Sequence, residues 1–369
     1  MSTPLDKLSI TGFKSIQDLQ DFKLKRINIL IGSNGSGKSN FIDFFRLLRE
    51  FISGNLLAYV RKSGGISDIL FNGRKSTCQI EFETRFGARG FRFSLEPDSG
   101  DGCIVKNEAR YYSGGRRGWW EFGGNTEGFS QLAREAQSNY SSDSKYSQPV
   151  YRAIASWIVY HFHDSSSQSA MRHSEIIQDN KVLRYNASNI APYLLRLRNE
   201  SIGSYQGIRQ AISLAMPFFN DFLLTPERLG EKQKVNLSWM QKGSDYPMQP
   251  YHLSDGSIRF ICLATALLQP TPPSTIIIDE PELGLHPAAI FLLAEMIKDA
   301  AKRTQLIVAT QSSALIDKFD IEDIIVVKRY EGASNFERLQ GKYFATWLEE
   351  YSVGELWTKN VIQGGVSHE

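Results

Sequence analysis

Two short stretches, separated by more than half of the chain, carry residue types suited to handling phosphate. The first is Gly32-Ser33-Asn34-Gly35-Ser36-Gly37-Lys38-Ser39, a full G-x-x-x-x-G-K-S. Glycines let the backbone wrap an anion with its amides, the lysine adds a positive charge, and the serine hydroxyl faces a bound cation. The second is Asp279-Glu280, closing the apolar run Thr275-Ile276-Ile277-Ile278. Asp279 is the expected magnesium partner, through Ser39 and water. Glu280 stands one residue further on, where a carboxylate can take a proton from an attacking water. A third stretch, Leu253-Ser254-Asp255-Gly256-Ser257, opens an apolar segment. A serine and a glycine at a helix start offer a hydroxyl and backbone N–H groups to an anion, although alone they form only an N-cap.

These residues need elements to hold them. Ile27–Ile31 is an apolar run of strand length before the phosphate loop, and Phe41–Phe51 has the apolar spacing of a helix after it. Leu5–Ile10 and Phe22–Ile31 are predicted as strands, while 79–86 and 91–95 alternate with period two and predict an antiparallel sheet. Residues 111–124 look like glycine-broken hairpins, 137–148 a polar loop, and Ile190–Leu197 and Ile208–Phe219 helices. Ile258–Leu268 reads as a helix, and from Thr275 the order is strand, helix, strand, with a last strand over 323–329. Neither an internal repeat nor a sustained heptad run is visible.

Composition sets wider bounds. In 369 residues, 41% hydrophobic and 22% charged content argues a globular chain rather than a disordered one. A formal charge of +2 argues neither for nor against nucleic acid. Cys78, Cys103 and Cys262 are scattered, which suggests neither a disulfide framework nor a zinc site. With no basic-plus-apolar leader and no apolar stretch of membrane length, the expectation is a soluble, cytoplasmic protein without a membrane partner.

The motifs resemble those of the SMC/RecF/OLD-like branch of ABC ATPases, in particular the ATPases grouped with abortive-infection and phage-defence genes. The resemblance lies in "LSITGFKSI" (8–16), "ILIGSNGSGKSNFID" (29–43), "YHFHD" (160–164), "HLSDGSIRF" (252–260), "TIIIDEPELGLHP" (275–287) and "IVATQSS" (307–313). It implies an α/β P-loop NTPase of ABC type, a mixed sheet with flanking helices and an inserted α+β lobe. Its N-terminal part would cover 1–100, the lobe 101–250 and the C-terminal part 251–369. It also implies ATP and Mg2+, held by Asn34, Gly35, Ser36, Gly37, Lys38, Ser39 and Asn40, with Ser39 and Asp279 on the metal. Lys38, Glu280 and Gln311 would be catalytic, and Lys14 and Ser15 would touch the nucleotide. Ser254 and Gly256 would reach the γ-phosphate bound by a second copy, so two ATP would be shared in a head-to-tail homodimer. Two departures point to a slow switch. Gln311 replaces the usual switch histidine and cannot become charged, and Asp255 replaces a signature glycine, placing a negative charge towards the partner's nucleotide.

The long separation of Lys38 from Asp279 argues against a transporter motor and leaves no room for an SMC coiled coil. The short stretch after Glu280 does not fit a fused Toprim nuclease. The leading reading is therefore an ATPase controlling a separately encoded effector, a Toprim-type nuclease, in antiviral defence. A RecF-like DNA-repair ATPase is the alternative, and DNA stays open as a ligand. An ordinary P-loop enzyme phosphorylating a small substrate is the plainest reading, and Glu280 and the signature speak against it. His161, His163 and Asp164 are read as strand residues, either core histidines or sensors near the magnesium sphere, with a metal site less favoured. In "RRGWW" (116–120), core packing, a protein partner and nucleic acid all remain open.

Overall fold

The computed structural model describes residues 3–114, 118–138, 143–166 and 168–362. Strands β1 (Lys7–Phe13) and β2 (Ile16–Lys23) form a hairpin, and β3 (Ile27–Ile31) then runs into the phosphate loop and helix α1 (Lys38–Ile52). After α2 (Leu56–Lys62) come β4 (Ile80–Phe86), β5 (Arg89–Pro97), β6 (Cys103–Tyr112) and β7 (Gly118–Glu121). With the first hairpin they make a six-stranded sheet in the order β2-β1-β4-β5-β6-β7. Helices α3 (Gln131–Gln137) and α4 (Ser144–Ser156) lead to β8 (Ile158–Tyr160).

A lobe follows, built from α5 (Ile190–Glu200) and α6 (Ile202–Ala215) with short strands. Strand β9 (Glu175–Ile176) joins β11 (Glu227–Leu229) and β12 (Lys232–Val235) in one small sheet, while β10 (Phe219–Leu223), β13 (Ser238–Gln241) and β14 (Pro247–Met248) make another. The chain ends through α7 (Asp255–Leu268), β15 (Thr275–Asp279), α8 (Pro287–Ala301), β16 (Gln305–Ala309), β17 (Ile324–Tyr330), β18 (Ala333–Arg338) and short helical turns.

The central sheet has the order β18-β17-β3-β16-β15-β8, all parallel except β18. Its inner strands are mostly apolar, as suits strands covered on both faces. Alternate residues enter different cores: Ile276, Ile278, Leu306 and Val308 face α5–α8, whereas Ile277, Ile307 and Ala309 face α1 and the antiparallel sheet. Helix α1 presents Phe41, Phe44, Phe45, Leu48, Phe51 and Ile52 to that second core, a stripe at helical spacing. Parallel strands bring the loops after β3, β15 and β16 to one edge, the usual place for a ligand in such a sheet.

Several expectations need adjusting. Phe22–Ile31 is broken between Lys23 and Ile27, because β2 belongs to one sheet and β3 to the other. Helix α4 already begins within the stretch read as a loop; it buries Ser147, Val150, Ala153 and Ile154, so packing overrides its polar composition. Residues 139–142 of that stretch lie outside the described residues. Strand β8 stops at Tyr160, so His161–Asp164 form a loop and not a strand. The boundary drawn at 100 falls in the β5–β6 connection, and segment 101–250 supplies strands to both large sheets. No helix among the described residues is long and apolar enough to cross a membrane.

Candidate nucleotide site

The phosphate loop is shaped by close approach as well as by sequence. A side chain at Gly37 (φ 112°) would strike the Ser334 and Ser15 hydroxyls, and one at Gly32 would meet the Val327 carbonyl 2.4 Å away. Helix α1 then starts without a side-chain cap and without an acidic residue in its first turn. Its free N–H groups and positive dipole end face the loop. Lys38, 6% exposed, folds back to donate to the Gly32 and Ser33 carbonyls at 2.6 and 3.0 Å. Burial lowers the pKa of its amine, and Glu280, Asp279 and Glu282 oppose that shift. Ser36 Oγ is buried with no hydrogen-bond partner among the described residues.

Behind the loop, Ser334 donates to the Ser36 carbonyl (2.6 Å) and its Oγ lies 2.7 Å from Ser15 Oγ, which accepts from Asn40 (2.7 Å). Ser15 and Asn40 thus brace the loop and each other. Nothing in the local sequence marks Ser334, which arrives from β18 at the far end of the chain. Lys14 (φ 51°) is on the wall of a cleft shared with Arg46, Tyr59 and His161, and pairs with Asp43 at 2.5 Å.

Across the sheet edge, Ser39 Oγ donates to Asp279 Oδ2 at 3.4 Å, which places a hydroxyl beside a carboxylate as a divalent cation requires. Burial, together with the Glu280 charge, raises the pKa of Asp279. Glu280 has φ 42°, a left-handed conformation that is uncommon for a residue with a side chain and is held by its N–H bond to the Ala309 carbonyl. Gln311 completes the arrangement. Its side-chain amide donates to Asn34 Oδ1 and to Glu280 Oε1, each at 2.7 Å. Glu282 accepts from Thr310 Oγ1 (2.5 Å) and the Gln311 N–H (3.2 Å), so it sets the position of Gln311. The chemistry of this donor set, with glycine-lined amides, a buried lysine and paired hydroxyl and carboxylate, fits a nucleotide triphosphate with Mg2+.

Ser254 and Gly256 belong to a separate group. The Ser254 hydroxyl is exposed and caps α7 by accepting from the Ser257 N–H at 3.1 Å. Gly256 packs on the loop after β15, where an added Cβ would lie 2.1 Å from the Gly284 oxygen. Asp255, expected to leave an unbalanced negative charge, is paired with Arg172 at 2.8 Å. The His161 and His163 rings touch at 4.5 Å between centroids, and His163 borders a small cavity with Asp279 and Glu280. No group of three or more metal-ligating residues occurs among the described residues. Of the aromatic hairpin, Arg116 and Arg117 lie outside the described residues. Trp119 is stacked between Arg85 and Arg92, at 4.5 and 4.3 Å, and so packs on its own sheet's outer face.

The family described as "AAA domain, putative AbiEii toxin, Type IV TA system" matches residues 27–317. The chain belongs to this family. The AAA family member is also similar to the chromosome partition protein Smc of Pyrococcus furiosus, with 30% identity over 31% of this chain and 10% of the relative. A putative ABC transporter ATP-binding protein of Methanosarcina acetivorans is 27% identical over 28% of this chain and 37% of the relative. The chain therefore spans well under half of the length of these curated relatives. Its fold is that of an SMC head. A crystal structure of an SMC head bound to the C-winged helix domain of ScpA superposes with a TM-score of 0.55, 19% identity, and 93% and 99% coverage of the two chains. The P. furiosus SMC head with an extended coiled coil, bound to the C-terminal domain of ScpA, gives 0.51, 18%, 94% and 99%. The protein thus joins membership of this AAA-domain family to the P-loop fold of an SMC head.

A stability consequence follows from Asp279. Its charge is partly desolvated and repelled by Glu280, so Asp279→Asn is expected to raise the thermal midpoint of the nucleotide-free chain at neutral pH by about 2 °C. The same variant should lack the further rise expected on adding ATP and Mg2+ to the unaltered chain. Scanning calorimetry with and without ATP·Mg2+ checks both.

Proposed function

We propose that two copies of this chain bind ATP and Mg2+ between them, head to tail, and act as a slow switch over a separately encoded effector, a Toprim-type nuclease, in anti-phage defence. The observation that carries the reading is the Gln311 bridge, in which one amide joins the phosphate loop at Asn34 to the acidic residue Glu280. A group arriving between these partners meets a donor that already spans both.

In this reading Lys38 and the amides of 34–39 hold the β- and γ-phosphates, while Ser39 and Asp279 hold Mg2+, which supplies neutralising charge. Glu280 Oε1 takes the proton of the attacking water. Gln311 donates a hydrogen bond but cannot carry a proton away, in keeping with slow turnover. Ser254, exposed at the α7 start, and the Gly256 N–H serve the nucleotide of the second copy. The Arg172–Asp255 pair supports closure of the dimer by balancing the charge at that surface. The family description, naming a toxin of a type IV system, is in keeping with defence.

Ser254→Arg tests the shared site. An unpaired, buried charge at an interface costs about 2–5 kcal/mol, so ATP-dependent dimerisation and phosphate release should fall at least roughly 30-fold. Hydrolysis at the unaltered rate would remove the shared site from the proposal. For the effector, a Glu280→Gln chain purified with its native neighbouring genes, ATP and Mg2+ is expected to retain a nuclease, identified by mass spectrometry. Retention of salt-sensitive DNA alone would favour the RecF-like reading.

A further inference from the structure

We infer that Arg259 is a positioning residue that carries the state of the Asp279–Glu280 region to the start of α7 in the same chain, and thereby sets how Ser254 is presented. The inference deepens the proposed function and rests on it, because it explains how one nucleotide site reports to the surface that serves the other.

Arg259 lies on α7, just over one turn beyond Ser254, and is only 8% exposed. Its Nε donates to the Phe162 carbonyl at 3.0 Å, and its Nη2 donates to the His163 carbonyl at 3.0 Å and to Ser165 Oγ at 3.3 Å. Its Nη1 donates to the Leu283 carbonyl. One guanidinium therefore fastens α7 to the loop after β8 and to the loop after β15. Both loops border the acidic centre, since His163 shares a cavity with Asp279 and Glu280, and Leu283 follows Glu280 in the chain.

The start of α7 has little freedom apart from this clasp. Gly256 is in close contact with the Gly284 carbonyl. Arg172 holds Asp255 while donating to the Ser165, Pro250 and Leu253 carbonyls. Ser165 is therefore gripped by both arginines. A displacement of either loop moves carbonyls that Arg259 holds, and directional hydrogen bonds pass that displacement to α7. A lysine cannot reproduce a planar fork of this reach.

The test is amide hydrogen exchange over 253–262 in the full chain, with and without ATP·Mg2+, at a concentration where light scattering shows monomers. In the unaltered protein, ATP is expected to change exchange there, and in Arg259→Met and Arg259→Lys that change should shrink by roughly 2- to 30-fold. ATP affinity should stay within about threefold in the same variants, so that kcat falls without a matching rise in KM. Arg259→Lys keeps the test open if the methionine variant folds poorly. A variant that binds ATP normally and still shows the full exchange change overturns the inference and leaves the ATPase dimer standing. An unaltered protein that binds ATP with no change at 253–262 overturns it equally. Failure of the unaltered protein to bind ATP removes the proposed function first, and this inference with it.

Discussion

Changing Glu280 to glutamine is expected to slow ATP hydrolysis by roughly 100- to 10,000-fold, the range in which a positioned general base contributes. The substitution keeps the shape of the side chain and an oxygen that can accept from the Gln311 amide, now at 2.7 Å. It also keeps the backbone N–H bond to Ala309 that holds the φ 42° conformation. What it removes is a proton acceptor and one of two adjacent negative charges beside the phosphate loop. ATP binding should therefore survive, and dimers should accumulate because hydrolysis no longer resets them. Phosphate release and multi-angle light scattering on the same sample read both effects. Turnover within about threefold of the unaltered protein would show that Glu280 is not the base.

Lys38→Ala is expected to weaken ATP binding by roughly 30- to 5,000-fold, equivalent to about 2–5 kcal/mol for deleting a buried charged hydrogen-bonding partner. The Lys38 amine sits inside the loop on the Gly32 and Ser33 carbonyls, and three carboxylates, Glu280, Asp279 and Glu282, act on it. Arriving phosphate would draw the amine from two neutral carbonyls to a charged partner, a stronger bond. The nucleotide-free fold should tolerate the change better, because burial already disfavours the charged amine. Binding of a fluorescent ATP analogue, beside a melting curve without nucleotide, separates the two effects. Unchanged affinity would remove Lys38 from the site.

The local parts of this site were legible because local sequence decides them. Gly32, Gly35 and Gly37 specify a tight loop, the apolar runs Ile27–Ile31 and Thr275–Ile278 specify buried strands, and Phe41–Phe51 specifies a helix face. Other features resisted for equally physical reasons. His161–Asp164 has the look of a continued strand, yet pairing with β15 ends at Tyr160 and the loop turns towards Asp279. Helix α4 hides in a serine-rich stretch, since its buried contacts and not its composition stabilise it. Trp119 gave three open readings, and only the register of β7 against β6 placed it between Arg85 and Arg92.

By itself the sequence determined a phosphate loop between a strand and a helix, an acidic pair at the end of a second strand, and a capped helix start at Ser254. These depend on backbone freedom, apolar periodicity and side-chain type over a few residues. Only the tertiary structure decided which distant groups meet: Ser334 behind Ser36, Gln311 across Asn34 and Glu280, Arg172 on Asp255, and Arg259 on Phe162, His163 and Leu283. Such contacts follow from strand order and from the packing of α7 against neighbouring loops. They join residues too far apart in the chain for any local pattern to announce them.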